Sequence, residues 1–115
     1  MNRQMVYIAG PYRPTQYRTE RQNVRSAEAV AVQVANKGHF PVTPHLNTAF
    51  FTGEGPDDLW LWGDLNLLAC CSVLVLCEGW EDSSGAVREM ERATELGLAV
   101  FHDVSDLPEV LDETT

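Results

Sequence analysis

The residues from Ser72 to Glu89, SVLVLCEGWEDSSGAVRE, carry the strongest indication of the fold. Residues 72–77 form an apolar run of the kind found in buried strands of a parallel sheet. A polar loop follows, and Ser83, Ser84 and Gly85 lead from it into a helical pattern. A buried strand followed directly by a helix is the unit from which parallel α/β sheets are built.

Glu89 lies on the apolar face of this predicted helix. It stands three residues after Ala86, four before Ala93 and seven before Leu96, and these spacings put residues on one helix face. The simpler interpretation is a surface glutamate at the edge of the apolar stripe. The alternative is a carboxylate that the helix N-terminus keeps ionised, as a nucleophile at a sugar anomeric carbon must be.

Outward from this stretch, strands and helices alternate along the chain. Gly38 and Gly97 are predicted to end helices, since glycine is favoured just past a helix C-terminus. Pro41 indicates that the second strand lies near a sheet edge, because proline cannot donate to a strand ladder. The predicted strands span residues 5–9, 40–43, 72–77 and 98–102, and the predicted helices span residues 19–37, 57–71 and 84–97.

The remaining segments are predicted to be connections and short terminal structure. Residues 44–56 form a loop, and Asp57 or Asp58 lies near the cap of the helix that follows. Ser105 caps a last short helix, and residues 112–115 fray. The sequence has no repeat, linker or low-complexity segment, so we expect one domain that spans residues 1–115.

The alternation of strands and helices predicts an α/β fold. We expect a flavodoxin- or Rossmann-like three-layer sandwich with a small parallel sheet of about four strands in the order 2-1-3-4. Ligands of such sheets bind beyond the carboxyl ends of the strands, where the strand order reverses. Here that point lies between strands one and three, where the loops at residues 10–18 and 78–84 meet.

Composition excludes several classes of function. The net charge of −9 argues against nucleic-acid binding, which depends on Lys and Arg that neutralise phosphates. No apolar run approaches the ~20 residues that cross a bilayer, and the N-terminal residues do not resemble a secretion signal. We therefore expect a cytoplasmic protein with no membrane partner.

The cysteine pattern favours reduced, buried thiols in such a compartment. Cys70, Cys71 and Cys77 are odd in number and lie in apolar stretches. They lack the CxxC-type spacing, with matching His or Cys elsewhere, that a metal site needs. The sequence predicts neither a metal nor any other cofactor.

Asp64 is the second candidate for chemistry. Trp60, Leu67 and Cys71 stand at −4, +3 and +7 from it, so Asp64 also lies in an apolar helix face. Desolvation there should raise its pKa and favour the protonated form. A neutral acid beside an ionised carboxylate is the division of labour that cleaves glycosidic bonds. The alternative is an aspartate that caps a loop or pairs with an arginine.

Two further candidates are Tyr7, inside the first strand, and Gly10, directly after it. Tyr7 points opposite to Ile8 and is either a core aromatic or a hydroxyl near Glu89, since strands one and three should be neighbours. Gly10 permits a tight turn or close backbone approach to a ligand. Both residues would lie at the predicted ligand site.

Basic residues cluster in and just after the loop at residues 10–18. Four of the eight in the chain fall close together: Arg13, Arg18, Arg21 and Arg25. Such a cluster suits an anionic substrate, for example a 5′-phosphate. The alternative is a solvated helix face on which arginines pair with Glu20 and Glu28.

The other polar and aromatic candidates each have two interpretations. Ser83 and Ser84 cap the third helix or bind ribose or phosphate at its N-terminus. His45 is a substrate contact or an ordinary loop histidine. Trp80 and Trp62 stack on a base or serve in packing.

Taken together, these residues resemble the nucleoside 2-deoxyribosyltransferase family and its relatives, the nucleoside 5′-monophosphate N-hydrolases. The resemblance runs from Tyr7 to about Phe101, and the order and spacing of its motifs make it specific. The motifs are Tyr7-Ile-Ala-Gly10 followed by Arg13, then Pro41-Val-Thr-Pro-His45, Asp64-Leu65 and Ser83-Ser-Gly-Ala-Val-Arg-Glu89.

The resemblance implies a mechanism and partners. Glu89 would attack the anomeric carbon, Asp64 would protonate the departing base, and Tyr7 would position Glu89. Arg13 and Ser83 would lie near a 5′-phosphate, and a serine where the transferases commonly have Asp favours the monophosphate branch. Relatives complete their sites with a neighbouring subunit, which implies a homodimer or higher homo-oligomer. The expected substrate-binding residues are Gly10, Arg13, His45, Trp80, Ser83, Ser84 and Gly85.

The sequence therefore predicts an N-glycosidase or glycosyl transferase that acts on a small nucleoside or nucleotide. Two other classes stay open. A non-catalytic module of the same fold would bind a nucleotide or nucleotide sugar, although two desolvated carboxylates argue against it. A flavodoxin-like electron carrier would need a flavin-phosphate loop rich in Ser and Thr, which the sequence does not suggest.

Overall fold

A four-stranded parallel sheet forms the centre of the computed structural model, which describes residues 1–51 and 53–111. The strand order is β2-β1-β3-β4, and each neighbouring pair is parallel. The predicted α/β fold with strand order 2-1-3-4 is therefore confirmed, and no strand end differs from its prediction by more than one residue. The strands are β1 Met5–Ala9, β2 Phe40–Val42, β3 Val73–Leu76 and β4 Ala99–Phe101.

The first helix begins, and two of the helices end, at recognisable local sequence signals. Thr19 caps the first helix in a capping box, accepting from the Gln22 backbone N–H at 3.1 Å while the Gln22 side chain accepts from the Thr19 N–H at 2.9 Å. Gly38 and Gly97 follow helix ends with φ of +94° and +80°, as expected of C-terminal glycines. No helix among the described residues is long and apolar enough to cross a membrane. The helices are α1 Glu20–Asn36, α2 Pro44–Asn47, α3 Asp57–Ala69 and α4 Ser84–Glu95.

Two local predictions were wrong. The predicted loop at residues 44–56 begins with α2, a four-residue helix with Pro44 at its start. Pro56 stands at the N-cap of α3, and Asp57 and Asp58 lie in the first turn beside it, near the cap as predicted. Asp103, not Ser105, caps the last turn, because its carboxylate accepts from the Ser105 N–H at 2.8 Å. The predicted fraying of residues 112–115 lies outside the described residues.

Opposite faces of the sheet are covered by different helices. Val6 and Ile8 of β1 pack on the side that α1 covers. Tyr7 and Ala9 alternate to the other side, where they meet apolar residues of α3 and α4. Because the chain leaves β1 and β3 toward opposite faces, a crevice opens between the carboxyl ends of these two strands.

The cysteines are free thiols, but only two of them are buried as predicted. Cys71 and Cys77 are buried, whereas Cys70 is exposed. Cys70 stands two residues after the fully buried Leu68. Two residues along a helix turn a side chain to nearly the opposite side, so Cys70 faces away from the sheet.

Candidate active site

A cavity of about 1070 Å³ lies at the carboxyl ends of β1 and β3. The loop after β1, the loop after β3, the start of α4 and one side of α3 form its walls. This is the place where the reversal of strand order predicts a ligand site. Eight of the ten predicted site residues line it: Gly10, Arg13, His45, Asp64, Ser83, Ser84, Gly85 and Glu89.

Glu89 lines this cavity and is 7% exposed. The fully buried Tyr7 donates its phenolic O–H to Glu89 Oε2. Burial, and then the neighbouring Glu89 charge, raise the pKa of Tyr7, so the phenol stays neutral and acts as a donor. The two side chains meet because Tyr7 alternates to the sheet face that α4 covers.

The protonation state of Glu89 differs from the expectation. Burial raises the pKa of Glu89 to about 8; the Tyr7 hydrogen bond lowers it and the Asp64 charge raises it. The predicted ionisation by the helix N-terminus does not prevail, because Glu89 is the sixth residue of α4. The influence of the helix dipole fades beyond the first turn.

Asp64 projects from α3 into the same cavity. Burial raises the pKa of its carboxyl to about 6, in the predicted direction. This value is below that of Glu89, so the order of the two groups is the reverse of the expected one. Since each charge opposes the other, the pair holds one proton between about pH 6 and about pH 8.

The loop after β1 approaches the sheet closely at Gly10. A Cβ atom added there would lie 2.6 Å from Cys77 Cβ, so only glycine fits. His45 supports the same loop, with Nε2 at 2.9 Å from the Pro11 carbonyl and 3.2 Å from the Gly10 carbonyl. Burial lowers the pKa of His45, so its neutral ring donates from Nε2. Nδ1 has no hydrogen-bond partner within the described part of the chain.

Asn23 was missed as a site residue. This side chain is 3% exposed. Its Nδ2 donates to the carbonyls of Tyr12 at 3.2 Å and Arg13 at 3.1 Å, and its Oδ1 accepts from Arg18 Nε at 2.9 Å. It therefore ties the first loop to α1. The available signal was an amide four residues before Ala27, in the apolar stripe of that helix.

The arginine cluster divides between the cavity and the surface. Arg13 and Arg18 are among the lining residues, whereas Arg25 pairs with Glu28 at 2.9 Å, as the alternative interpretation expected. Arg13 itself pairs with Asp57 at 3.0 Å, both being well exposed. Of the described lining residues, six carry carboxylates: Asp57, Asp58, Asp64, Glu78, Asp82 and Glu89.

Ser83 and Trp80 have structural roles in the loop after β3. Ser83 Oγ accepts from the Ala86 N–H at 3.2 Å and caps α4. Trp80 is not among the lining residues; it packs on the apolar cluster of the sheet, and its ring lies 5.8 Å from that of His102. Trp62 is 66% exposed on α3. These contacts favour a packing role for Trp80 over stacking on a base.

The arrangement joins two carboxyl groups of different pKa in one crevice, one of them fixed by a phenol. Such a pair can supply a nucleophile or base together with a proton donor. Within residues 1–51 and 53–111, no group of three or more His, Cys, Asp or Glu side chains could hold a metal ion.

A family model described as "Domain of unknown function (DUF7768)" matches residues 4–103. The match includes all four strands and both carboxyl groups of the cavity. No curated protein matches the chain. The description of the family names no activity. Because the match extends over most of the 115 residues, the chain belongs to the DUF7768 family.

Proposed function

We propose that the protein cleaves the N-glycosidic bond of a (deoxy)nucleoside or of its 5′-monophosphate through a glycosyl intermediate on Glu89. The sugar then passes to water or to another base. The observation that carries the proposal is the buried Glu89, hydrogen-bonded by Tyr7, in the same cavity as Asp64. The resemblance to nucleoside 2-deoxyribosyltransferases supplies the reaction class.

In the first step a carboxylate oxygen of Glu89 attacks the anomeric carbon of the sugar. The carbon–nitrogen bond to the base breaks, and its electron pair goes to the base nitrogen or the ring system conjugated with it. The protonated Asp64 gives its proton to the departing base, which leaves neutral. Tyr7 holds Glu89 in position through its O–H donor.

In the second step the sugar leaves Glu89. Water attacks the anomeric carbon, the ester bond to Glu89 breaks, and the Asp64 carboxylate takes the proton of the water. A second base in place of water forms a new glycosidic bond, which makes the reaction a transfer. Both outcomes use the same two carboxyl groups.

The protonation states of Glu89 and Asp64 set the fraction of protein molecules that can react. The first step needs Glu89 ionised and Asp64 protonated, which is the minor arrangement of the single shared proton. The higher pKa of Glu89 places the shared proton mainly on Glu89, which is the other arrangement. Both arrangements hold one proton, so activity requires a pH between the two values in either case.

The cavity walls bear on the choice between a free and a phosphorylated substrate. Arg13 and Arg18 at the cavity favour a 5′-phosphate, with Ser83 beside it at the N-terminus of α4. The pairing of Arg13 with Asp57 and the six lining carboxylates favour an uncharged nucleoside. Gly10, Ser84 and Gly85 remain proposed contacts to the sugar.

The proposed partners are a small nucleoside or nucleotide and further copies of the chain. The resemblance supports a homodimer or a higher homo-oligomer. A cytoplasmic location is proposed on the ground that Cys70, Cys71 and Cys77 are all free thiols.

The test is base release from a panel of nucleosides and 5′-monophosphates, with and without a free acceptor base. We expect Glu89→Gln to lose base release while circular dichroism shows the fold intact, because an amide cannot attack the anomeric carbon. Glu78→Gln is the matched control, since Glu78 lines the same cavity but is exposed. Undiminished turnover in Glu89→Gln would overturn the mechanism.

A binding module is the second candidate. The raised pKa of Glu89, to about 8, favours it, because a carboxyl that is neutral at pH 7 can serve as a hydrogen-bonding group. A nucleotide that raises the melting temperature of the protein without any base release would favour this candidate over the enzyme.

A further inference from the structure

Trp60 carries a buried N–H group that has no hydrogen-bond partner. Among the residues that the structure describes, two buried side-chain atoms lack a partner: Trp60 Nε1 and His45 Nδ1. Both residues line the main cavity. Because buried polar groups are nearly always paired in native proteins, an unpaired group on a cavity wall indicates a hydrogen bond that a ligand completes.

The two unpaired nitrogens differ in what they ask of a ligand. His45 donates from Nε2 to the loop carbonyls, so Nδ1 of the neutral ring presents a lone pair. The indole nitrogen of Trp60 carries a hydrogen and can only donate. Tryptophan N–H groups usually find an acceptor when they are buried. The missing partner of Trp60 is therefore an acceptor atom.

Trp60 stands beside Asp64 on the cavity side of α3. The two residues are four apart in one helix, so their side chains are neighbours on the same helix face. Both line the main cavity and also an adjoining groove of about 340 Å³. This space on two sides of the indole leaves room for the ring to turn its N–H toward the main cavity.

The surroundings of Trp60 suit a flat aromatic base. Phe51 also lines the cavity, and its ring centroid lies 6.0 Å from that of Trp60 at an interplanar angle of 66°. Enzymes that bind a single base hold it between aromatic or apolar side chains and contact its edge with hydrogen bonds. In the proposed function Asp64 gives its proton to the departing base. A base within reach of Asp64 also lies beside Trp60.

Two neighbouring donors restrict which base edge fits. Protonated Asp64 donates to a ring nitrogen of the base, and Trp60 donates from its indole N–H. A 6-oxopurine such as guanine or hypoxanthine presents two adjacent acceptors, N7 and the 6-carbonyl oxygen. Adenine presents N7 beside an amino group, which is itself a donor. With adenine the Trp60 N–H would stay unpaired and would face another donor.

We propose that Trp60 determines base specificity, because its indole N–H donates to the 6-carbonyl oxygen of a purine whose N7 accepts from Asp64. The site then takes 6-oxopurine nucleosides in preference to 6-aminopurine nucleosides. This inference rests on the proposed function, which places the base at Asp64.

The test compares hypoxanthine and adenine nucleosides of the same sugar. The native protein should have the higher kcat/KM for the hypoxanthine nucleoside. Trp60→Phe keeps an aromatic ring and loses the N–H, so it should lower the hypoxanthine-to-adenine ratio of kcat/KM about 5–150-fold, the range expected for an unpaired buried group. The intrinsic difference between the two leaving bases is the same for both proteins and cancels in this comparison.

Trp62→Phe is the matched control. It makes the same change two residues away, at a ring that is 66% exposed and is not among the lining residues of the main cavity. It should keep the native ratio. A folded Trp60→Phe that keeps the native ratio, or a native protein that prefers the adenine nucleoside, overturns the specificity assigned to Trp60. Either result leaves the Glu89→Gln test of the proposed function intact.

Binding measurements decide the matter if no base is released. The same two nucleosides are then titrated into the native protein and into Trp60→Phe by calorimetry. Tighter binding of the hypoxanthine nucleoside that is lost in the variant supports the assignment even though the reaction is wrong, whereas equal affinities or no binding overturn it.

A third nucleoside serves if Trp60→Phe does not fold. Unsubstituted purine has neither the carbonyl nor the amino group at position 6. Its nucleoside should bind the native protein with an affinity between those of the other two. An affinity outside that interval, or equal to that of the hypoxanthine nucleoside, overturns the contact to the 6-carbonyl oxygen.

Discussion

Glu89 takes its protonation state from its own burial and from two neighbours on other elements. Tyr7 of β1 stabilises the ionised form through its O–H, whereas burial of this α4 side chain and the charge of Asp64 on α3 oppose ionisation. Burial is the largest of these effects, which is why the pKa lies near 8. The same desolvation that makes the carboxylate a strong nucleophile therefore limits how much of it is present at pH 7.

At this scale we predict a bell-shaped dependence of kcat/KM on pH. Base release should rise through about pH 6, where the doubly protonated pair loses one proton, and fall through about pH 8, where it loses the second.

In Asp64→Asn the rate should drop by about 10²–10⁴. The residual activity should rise with pH to a plateau, because only Glu89 still titrates.

The control for this profile is Asp58→Asn, which changes an exposed carboxylate of the same cavity. It should keep both limbs of the bell. A falling limb near pH 8 that survives in Asp64→Asn would show that another group supplies the proton, and the role given to Asp64 would then be wrong.

At the scale of elements, the side-chain amide of Asn23 connects the loop after β1 to helix α1. Asn23 holds the carbonyls of Tyr12 and Arg13 and the guanidinium of Arg18, none of which touches Glu89 in the proposed mechanism. We expect Asn23→Ala to raise KM about 5–150-fold, from lost hydrogen bonds of about 1–3 kcal/mol, while kcat changes less than about twofold. Steady-state kinetics on the best substrate of the panel gives this split.

Two variants sharpen the interpretation of that result. Asn23→Asp keeps the acceptor for Arg18 but loses both donors, so its KM should fall between native and Asn23→Ala. Gln33→Ala, which removes one exposed side-chain bond on the same helix, should leave both constants unchanged. Equal losses of kcat and kcat/KM in Asn23→Ala would instead place Asn23 in the chemical step.

Periodicity and glycine signals were sufficient to predict the long elements. The apolar spacing around Glu89 and Asp64 is local, so both could be found from the sequence. Four residues are too few to show a helical period, which is why α2 was missed. The order of the two pKa values could not be predicted, because it depends on how deeply elements distant in sequence bury each carboxyl.

At the scale of the whole molecule, residues 104–111 pack at the end of the sheet that is opposite the cavity. Lys37 Nζ, at the end of α1, donates to the carbonyls of Val104 at 2.8 Å and Leu107 at 2.6 Å. The Val110 N–H donates to the Lys37 carbonyl at 2.8 Å. One end of the sheet is thus secured by this segment, and the other end is left to the cavity and its carboxyl groups.

Those carboxyl groups link the stability of the fold to pH. Glu89 and Asp64 have folded-state pKa values of about 8 and about 6, above their ordinary values of 4.5 and 3.8. Between the unfolded and folded values the native state binds more protons than the unfolded state. The free energy of unfolding therefore falls as pH rises through this window, by up to about 1.4 kcal/mol per pH unit for each group.

We accordingly predict that Glu89→Gln is more stable than the native protein at pH 8 and above. The amide keeps an acceptor for the Tyr7 O–H and cannot ionise, so the variant avoids the cost of a buried charge. Near pH 4 the native carboxyl is itself protonated, and the two melting temperatures should converge. Thermal unfolding from pH 4 to pH 9, with the exposed Glu78→Gln as control, measures this difference. A gap that does not widen with pH would mean that Glu89 is not a buried, proton-binding carboxyl, and the pH limits proposed for catalysis would have to be assigned to other groups.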